Sequence, residues 1–435
     1  MNLFKDHILR KIVLSASLSK IGDILYYIAL MTYASSLPNY KLAIALVTFS
    51  ETLPSILSFF TGALADKTKN KINVIFLTTS IRIAIYILVG IAIGFDTGIT
   101  ILIIIVILNF ISDFIGEYED GLYIPILVSS IKDENKLESI LGYYQAIINV
   151  ANLLGQSLGA FLIIYLTYSY LSYLNSFTFL LSLIIVFLIK GTLKNNLNEY
   201  YDKNEISFEK KADLKGGKID KTKQLFIDIF NTLKNLKNNQ LIFSEIMIVS
   251  ILNGLLAAIS PLILIKITEN KEMLIASTTS TTLSVIMVTL TIATLLGNTL
   301  GVSLLKNFNC LKIIQLIILF VGSLFTILLF DSLILILINL FAVMFFVAVV
   351  TPKLTAEIIN NLDPEFLATN IGILNTILTI IGPIITMTIS SIIIIVSLEI
   401  ILLSIIGITL IMFLITIRIT RKNNIIFSKT SEDIN

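Results

Sequence analysis

Long apolar stretches, each bounded by a short polar break, recur along the whole chain. Twelve are long enough to cross ~30 Å of hydrocarbon at about 20 residues each: 12–36, 42–64, 72–94, 98–125, 138–165, 172–190, 241–266, 274–303, 311–330, 332–352, 367–394 and 397–417. Apolar residues run continuously within these stretches instead of alternating with polar ones, which predicts membrane-spanning helices and excludes the strands of a barrel. Residues 190–240 break the pattern with eleven Lys, seven acids and Gly216-Gly217. This predicts an N-terminal six-helix bundle over 1–190, a cytoplasmic linker over 191–240, a C-terminal bundle over 241–420 and a cytoplasmic tail over 421–435. The end of the linker, with Leu225, Phe226, Ile229, Phe230, Leu233 and Leu236 at helical spacing among lysines, reads as an amphipathic helix on the inner leaflet.

Composition agrees with the pattern. The chain is 56% apolar and 14% charged, against about 25% charged for soluble domains. Of its 31 Lys and Arg, 26 fall on segments at one side of the predicted spans, and three (Lys41, Lys266, Lys271) on the other. The positive-inside rule then puts both termini in the cytoplasm of a multi-pass protein in the cell membrane. Lys5, Arg10 and Lys11 lead straight into a full-length span, which reads as a retained helix and not a cleaved leader. Tyr165, Tyr168, Tyr170 and Tyr173 are placed to form the outer aromatic belt, since Trp is absent.

Several chemistries are excluded. A net charge of +2 gives no basis for a nucleic-acid partner; one His and one Cys (His7, Cys310) form no metal set, disulfide framework or nucleophile–base pair. Gly216-Gly217-Lys218 lacks the first glycine and the Ser/Thr of a phosphate loop. We expect no enzyme activity, no cofactor and no metal.

Charge inside the spans is the informative exception, because each such residue costs at least about 2.5–3.5 kcal/mol to insert. Asp23, Glu51 and Arg82 fall at similar depth in spans one, two and three, and Lys20 is one turn from Asp23 on the same face. One reading is a neutralised framework of Lys20–Asp23 and Glu51–Arg82 pairs. The other makes Asp23 or Glu51 a proton carrier, with Lys20 and Arg82 as charge partners. In span four, Asn109, Asp113, Glu117 and Asp120 recur on one helical face. Asp113, the deepest, is a third proton-coupling candidate, and the face reads either as a cation-attracting surface or as a solvated cytoplasmic mouth. Span five carries a polar stripe of Gln145, Asn149, Asn152 and Gln156, answered in span eleven by Asn375, Thr379, Thr386 and Ser390. Tyr27, Glu117, Asn149, Asn152 and Asn375 are candidates to line a substrate cavity. Glu245, at the start of span seven, is expected at the interface.

The halves echo each other. Pro125 precedes Gly155 as Pro352 precedes Gly382, and Gly62 with Lys67 after span two answers Gly301 with Lys306 after span eight. Gly155-x-x-x-Gly159 and Gly297-x-x-x-Gly301 are expected to let helices approach closely.

Gly62-Ala63-Leu64-Ala65-Asp66-Lys67, followed by Lys69 and Lys71, reads as a short charged turn between spans two and three. With Ser19-Lys20-Ile21-Gly22-Asp23, Pro54, Arg82, Ile124-Pro125-Ile126-Leu127-Val128, Leu137-Glu138-Ser139 and the Gly155/Gly159 pair, it resembles the macrolide-exporter-like branch of the major facilitator superfamily. The match is best over the first 165 residues. The resemblance implies an all-α fold of twelve helices in two pseudo-symmetric six-helix bundles. It also implies alternating access and export of amphipathic small molecules by proton antiport, with Gly62, Asp66, Lys67 and Lys71 acting as a conformational latch. Two departures stand out: Lys69 replaces the loop's second glycine, and no Arg or Lys occurs between residues 99 and 131, where related antiporters carry an arginine. The partners expected are a small-molecule substrate, protons and the lipid bilayer, with the chain monomeric. The alternatives are a dedicated exporter of one natural product (a siderophore or peptide antibiotic) and a non-cycling membrane receptor of the same fold.

Overall fold

The computed structural model describes residues 6–95, 98–131, 137–212, 240–360 and 367–432. Of these, Phe59, Asp66, 137–139, 201–212, 240–243, 355–360, 367–379 and 421–432 are described by backbone alone. The expected amphipathic helix at 225–236 lies outside the described residues.

The chain forms two compact units, Met1–Gln224 and Leu225–Asn435. The first contains α1 (His7–Ser35), α2 (Tyr40–Ile56), α3 (Ser58–Lys67), α4 (Lys71–Phe95), α5 (Ile99–Ser129), α6 (Leu137–Leu162) and α7 (Tyr168–Ala212). The second contains α8 (Gln240–Glu269), α9 (Thr279–Leu296), α10 (Cys310–Ile327), α11 (Leu333–Asn360), α12 (Leu367–Ile392) and α13 (Leu398–Glu432). Among the described residues nine helices are long and apolar enough to cross a membrane: α1, α4, α5, α7, α8, α9 with its continuation to Leu304, α10, α11 and α13.

Local chemistry sets the helix ends. The Asp6 carboxylate accepts from Ile8 and Leu9 N–H and caps α1, while Asn309 and Thr278 cap α10 and α9 in the same way. Pro54 lacks an N–H and crowds the preceding turn, and the second span breaks into α2 and α3 at Leu57. Two expectations change here. Gly62–Lys67 is not a turn but the C-terminal part of α3; the turn is Thr68–Asn70. The helix of the sixth span does not stop near residue 190 but continues as one helix, α7, to Ala212.

Within the first unit α1 packs on α6 and α7, and α4 packs on α7; within the second, α8 packs on α12 and α10 lies between α11 and α13. The glycine pairs do what their spacing predicts. A Cβ at Gly155 would sit 3.0 Å from the Ile21 carbonyl oxygen, and one at Gly159 would sit 2.8 Å from that of Leu25, so α6 lies directly on the α1 backbone. Gly297 and Gly301 meet α11 at Phe345, Ala348 and Val349. The residues between them form one π-helical turn, Gly297–Gly301, which hydropathy does not reveal. In the tyrosine belt, Tyr165 and Tyr170 are exposed, whereas Tyr168 turns inward onto Tyr33, ring centroids 5.2 Å apart.

Candidate functional site

The first unit encloses a cavity of about 90 Å³ walled by α1, α2, α4 and α5. Six carboxyl groups border it (Asp23, Glu51, Asp113, Glu117, Glu119 and Asp120), with two bases, Lys20 and Arg82. The cavity holds a few water molecules, a small cation or an ammonium group, and is well below the roughly 300–1,000 Å³ of a drug-sized pocket.

Arg82 is the hub. Its side chain is 2% exposed, and all three of its nitrogens are engaged. Nη2 lies 2.7 Å from both oxygens of Asp23. Nη1 lies 3.0 Å from Glu119 Oε2 and 3.5 Å from Ser19 Oγ, and Nε lies 3.2 Å from Ser112 Oγ. The Phe179 ring of α7 covers the guanidinium at 4.2 Å. Gly116 makes the room, since a Cβ there would approach Nη2 to 3.0 Å. The hub thus ties α1, α4, α5 and α7 together.

Both charge pairs predicted from sequence exchange partners. Glu51 does not pair with Arg82, because Asp23 and Glu119 occupy the guanidinium. Asp23 is taken by Arg82 and not by Lys20, and among the described residues no acid lies within ion-pair distance of Lys20. Lys20 stands in the field of Asp120, Asp23, Glu117 and Glu51. Glu51 instead shares the cavity wall with Asp113, each standing in the other's field. Asp113 is oriented from behind: the Tyr86 hydroxyl donates to Asn109 Oδ1 at 3.1 Å, and Asn109 Nδ2 donates to Asp113 Oδ2 at 2.7 Å. Glu117 accepts from the Ser55 hydroxyl at 3.2 Å.

Glu119 was missed by sequence reading, which followed the stripe Asn109–Asp113–Glu117–Asp120. Glu119 points away from that stripe toward α4, where it accepts from Thr78 and Thr79 at 2.6 and 2.8 Å as well as from Arg82. The available signal was Thr78-Thr79, one turn before Arg82 on its own face: a buried carboxylate partner needs such donors.

Other candidates fall elsewhere. Tyr27 is half-buried near Glu51 and does not border the cavity. Asn149 is exposed on α6, and Asn152 is half-buried there with its carbonyl oxygen sealed from solvent. The side chains of Asn375 and Asp66 lie outside the described residues. Lys67 is exposed. Lys71 is buried and donates to the Ala65 carbonyl, closing the end of α3. A Cβ on Gly62 would meet nothing within 4 Å; the close approach of α3 to α5 rests on Gly121, where a Cβ would lie 2.8 Å from that of Ala65. Glu245, expected at the interface, is 1% exposed inside the second unit.

The sequence matches no protein-family model and no curated protein. Solved structures do match over nearly the full length. The peptide transporter POT in complex with sulfate is 12% identical, with 97% of this chain and 96% of that chain covered at a TM-score of 0.64. A POT family transporter in complex with 5-aminolevulinic acid is 10% identical, with 95% and 96% covered at 0.68. The nucleoside transporter NupG is 11% identical, with 95% and 99% covered at 0.64. At such low identity the likeness shows the fold alone: an all-α fold, with membrane-length apolar helices in both units, shared with these transporters over nearly the full length.

Proposed function

We propose that the chain is a secondary active transporter that couples cargo movement to protons through the charged cavity of its first unit. The observation that carries this reading is the excess of four carboxyl groups over bases around one buried cavity. Each uncompensated charge at membrane depth costs at least about 2.5–3.5 kcal/mol, so the excess favours binding protons or a cationic solute. In this reading Glu51 and Asp113 hold a shared proton, and Asp23 alternates between Arg82 and a protonated, released form. Inward proton movement would be driven by the membrane potential at ~2.3 kcal/mol per charge per 100 mV.

Cargo and direction follow the resemblance: amphipathic small molecules, drugs or toxins, exported across the cell membrane by antiport, with both termini cytoplasmic and Asp66 and Lys67 serving as the latch. The small cavity then receives a cationic group of the cargo and not its bulk. A second reading, uptake of a small polar solute with protons, is favoured by the fold neighbours, which are peptide and nucleoside transporters.

The test uses everted vesicles with an acidified lumen and a panel of dyes, antibiotics, dipeptides and nucleosides. Proton efflux on adding a dye or antibiotic supports antiport. Substrate leaving the lumen together with protons supports the uptake reading. Transport indifferent to the proton gradient in either direction overturns proton coupling.

A further inference from the structure

Resting on the proton-coupled reading, we propose that Glu119 is a positioning residue: it anchors Arg82 so that Asp23 can leave the guanidinium without stranding a buried cation. The two carboxylates that share Arg82 are not equivalent. Both border the cavity, but Asp23 is 16% exposed and Glu119, held between α4 and α5, only 5%. Among the described residues Asp23 accepts from Arg82 Nη2 alone. Glu119 has one oxygen on Arg82 Nη1 and the other on the Thr78 and Thr79 hydroxyls. The first carboxylate is the more open of the two to the cavity.

The division of labour follows from the cost of an unpaired buried charge. With Asp23 as its sole counter-ion, Arg82 would hold that carboxylate permanently. With Glu119, Ser112 and the Phe179 ring retained, Arg82 stays neutralised when Asp23 takes a proton, and only the Nη2 contact loosens. Asp23 is thereby the exchangeable partner and Glu119 the fixed one. The remaining charged or titratable groups facing Asp23 are Lys20 on α1, Glu51 on α2, Tyr86 on α4, and Asp113, Glu117 and Asp120 on α5. From α6 and α7 the turn of α1 that carries Asp23 meets Gly155, Asn175 and Thr178, all uncharged.

The experiment reads Asp23 directly and needs no cargo. Infrared difference spectra of the purified full chain are recorded during acid titration, and the carboxylic-acid band lost in D23N is assigned to Asp23. The expected result is a clear Asp23 band in the wild type, its near-complete loss in E119Q, where Asp23 becomes the only anion on Arg82, and an intermediate band in E119D. A full-strength band in E119Q overturns the proposal, and so does a wild type with no Asp23 band at any pH at which it stays folded. Should E119Q fail to fold, E119D decides alone, and an undiminished band overturns the proposal. Proton-driven ethidium transport in wild-type proteoliposomes is measured separately; its absence with the band pattern intact overturns the transport reading and leaves Glu119 in its role.

Discussion

The two units use one helical plan but place their charge differently. The first gathers six acids and two bases around a cavity, with the buried Arg82 at their centre. In the second, the buried charges on described residues lie far apart along α8: Glu245 near its start, and Lys266 at its end, paired with Asp331. The turns after α3 and before α10 differ in the same spirit. In the first unit Lys71, at the start of the next helix, closes the end of α3 on the Ala65 carbonyl. In the second, the equivalent turn is held by Lys353 of α11, whose ammonium donates to the carbonyls of Leu305, Lys306 and Phe308. The same need, satisfying the last carbonyls of a membrane helix, is met from opposite sides of the turn. The two units therefore share a helical plan while their electrostatic parts differ, and the proposed proton chemistry falls on one unit.

The strongest challenge to that assignment is Arg82→Met. It leaves Asp23 and Glu119 buried without their cation, a situation that costs roughly 3–5 kcal/mol. A large drop in the melting temperature of the purified protein is expected, and an unchanged one would remove Arg82 as the hub. Next come Glu51→Gln and Asp113→Asn, compared with Glu245→Gln. Each substitution in the first unit should abolish acceleration of transport by a proton gradient while leaving expression normal, and Glu245→Gln should retain it. Loss of coupling on substituting Glu245 would spread the chemistry over both units and break the contrast.

How much of this could be read in advance depends on the range of the interaction. The spans were legible because desolvation acts residue by residue along a helix. The close packing at Gly155, Gly159, Gly297 and Gly301 was legible because a missing side chain on an apolar helix has few other uses. The depth of Asp23, Glu51 and Arg82 followed from helix rise, and the cavity does gather them with Asp113 and Glu117. Their pairing did not follow, since it depends on helix rotation and on which neighbour faces which. That is why Glu51–Arg82 was expected and Asp23–Arg82–Glu119 is found, and why Glu119 was passed over. The Leu57 break was foreshadowed by Pro54. Nothing local announced the π-helical turn or the reach of Lys353, both of which answer to contacts made across the unit.

The two turn caps predict a smaller, matched pair of effects. Lys353→Met and Lys71→Met each remove a charged donor from helix-end carbonyls, including those of buried Ala65 and half-buried Leu305, worth roughly 1.5–3 kcal/mol. Limited proteolysis should become faster at residues 305–309 in the first variant and at 68–70 in the second. Cleavage that speeds up at neither turn would mean that the caps do not hold them.

The smallest effects test how far the repeat itself extends. Gly155 and Gly382 occupy matching positions, yet a Cβ at Gly155 would press the α1 backbone at 3.0 Å while one at Gly382 meets nothing within 4 Å. Gly62 and Gly301 also match and show the reverse, with open space at Gly62 and a Val349 contact of 2.4 Å at Gly301. Gly155→Ala and Gly301→Ala should therefore each cost about 1–3 kcal/mol through overpacking. Gly382→Ala and Gly62→Ala should be neutral or gain up to about 1 kcal/mol from helix propensity. Melting temperatures of the four variants test this directly. If both members of either pair behave alike, the repeated glycine is kept by the shared ancestry of the halves and not by the contacts each now makes.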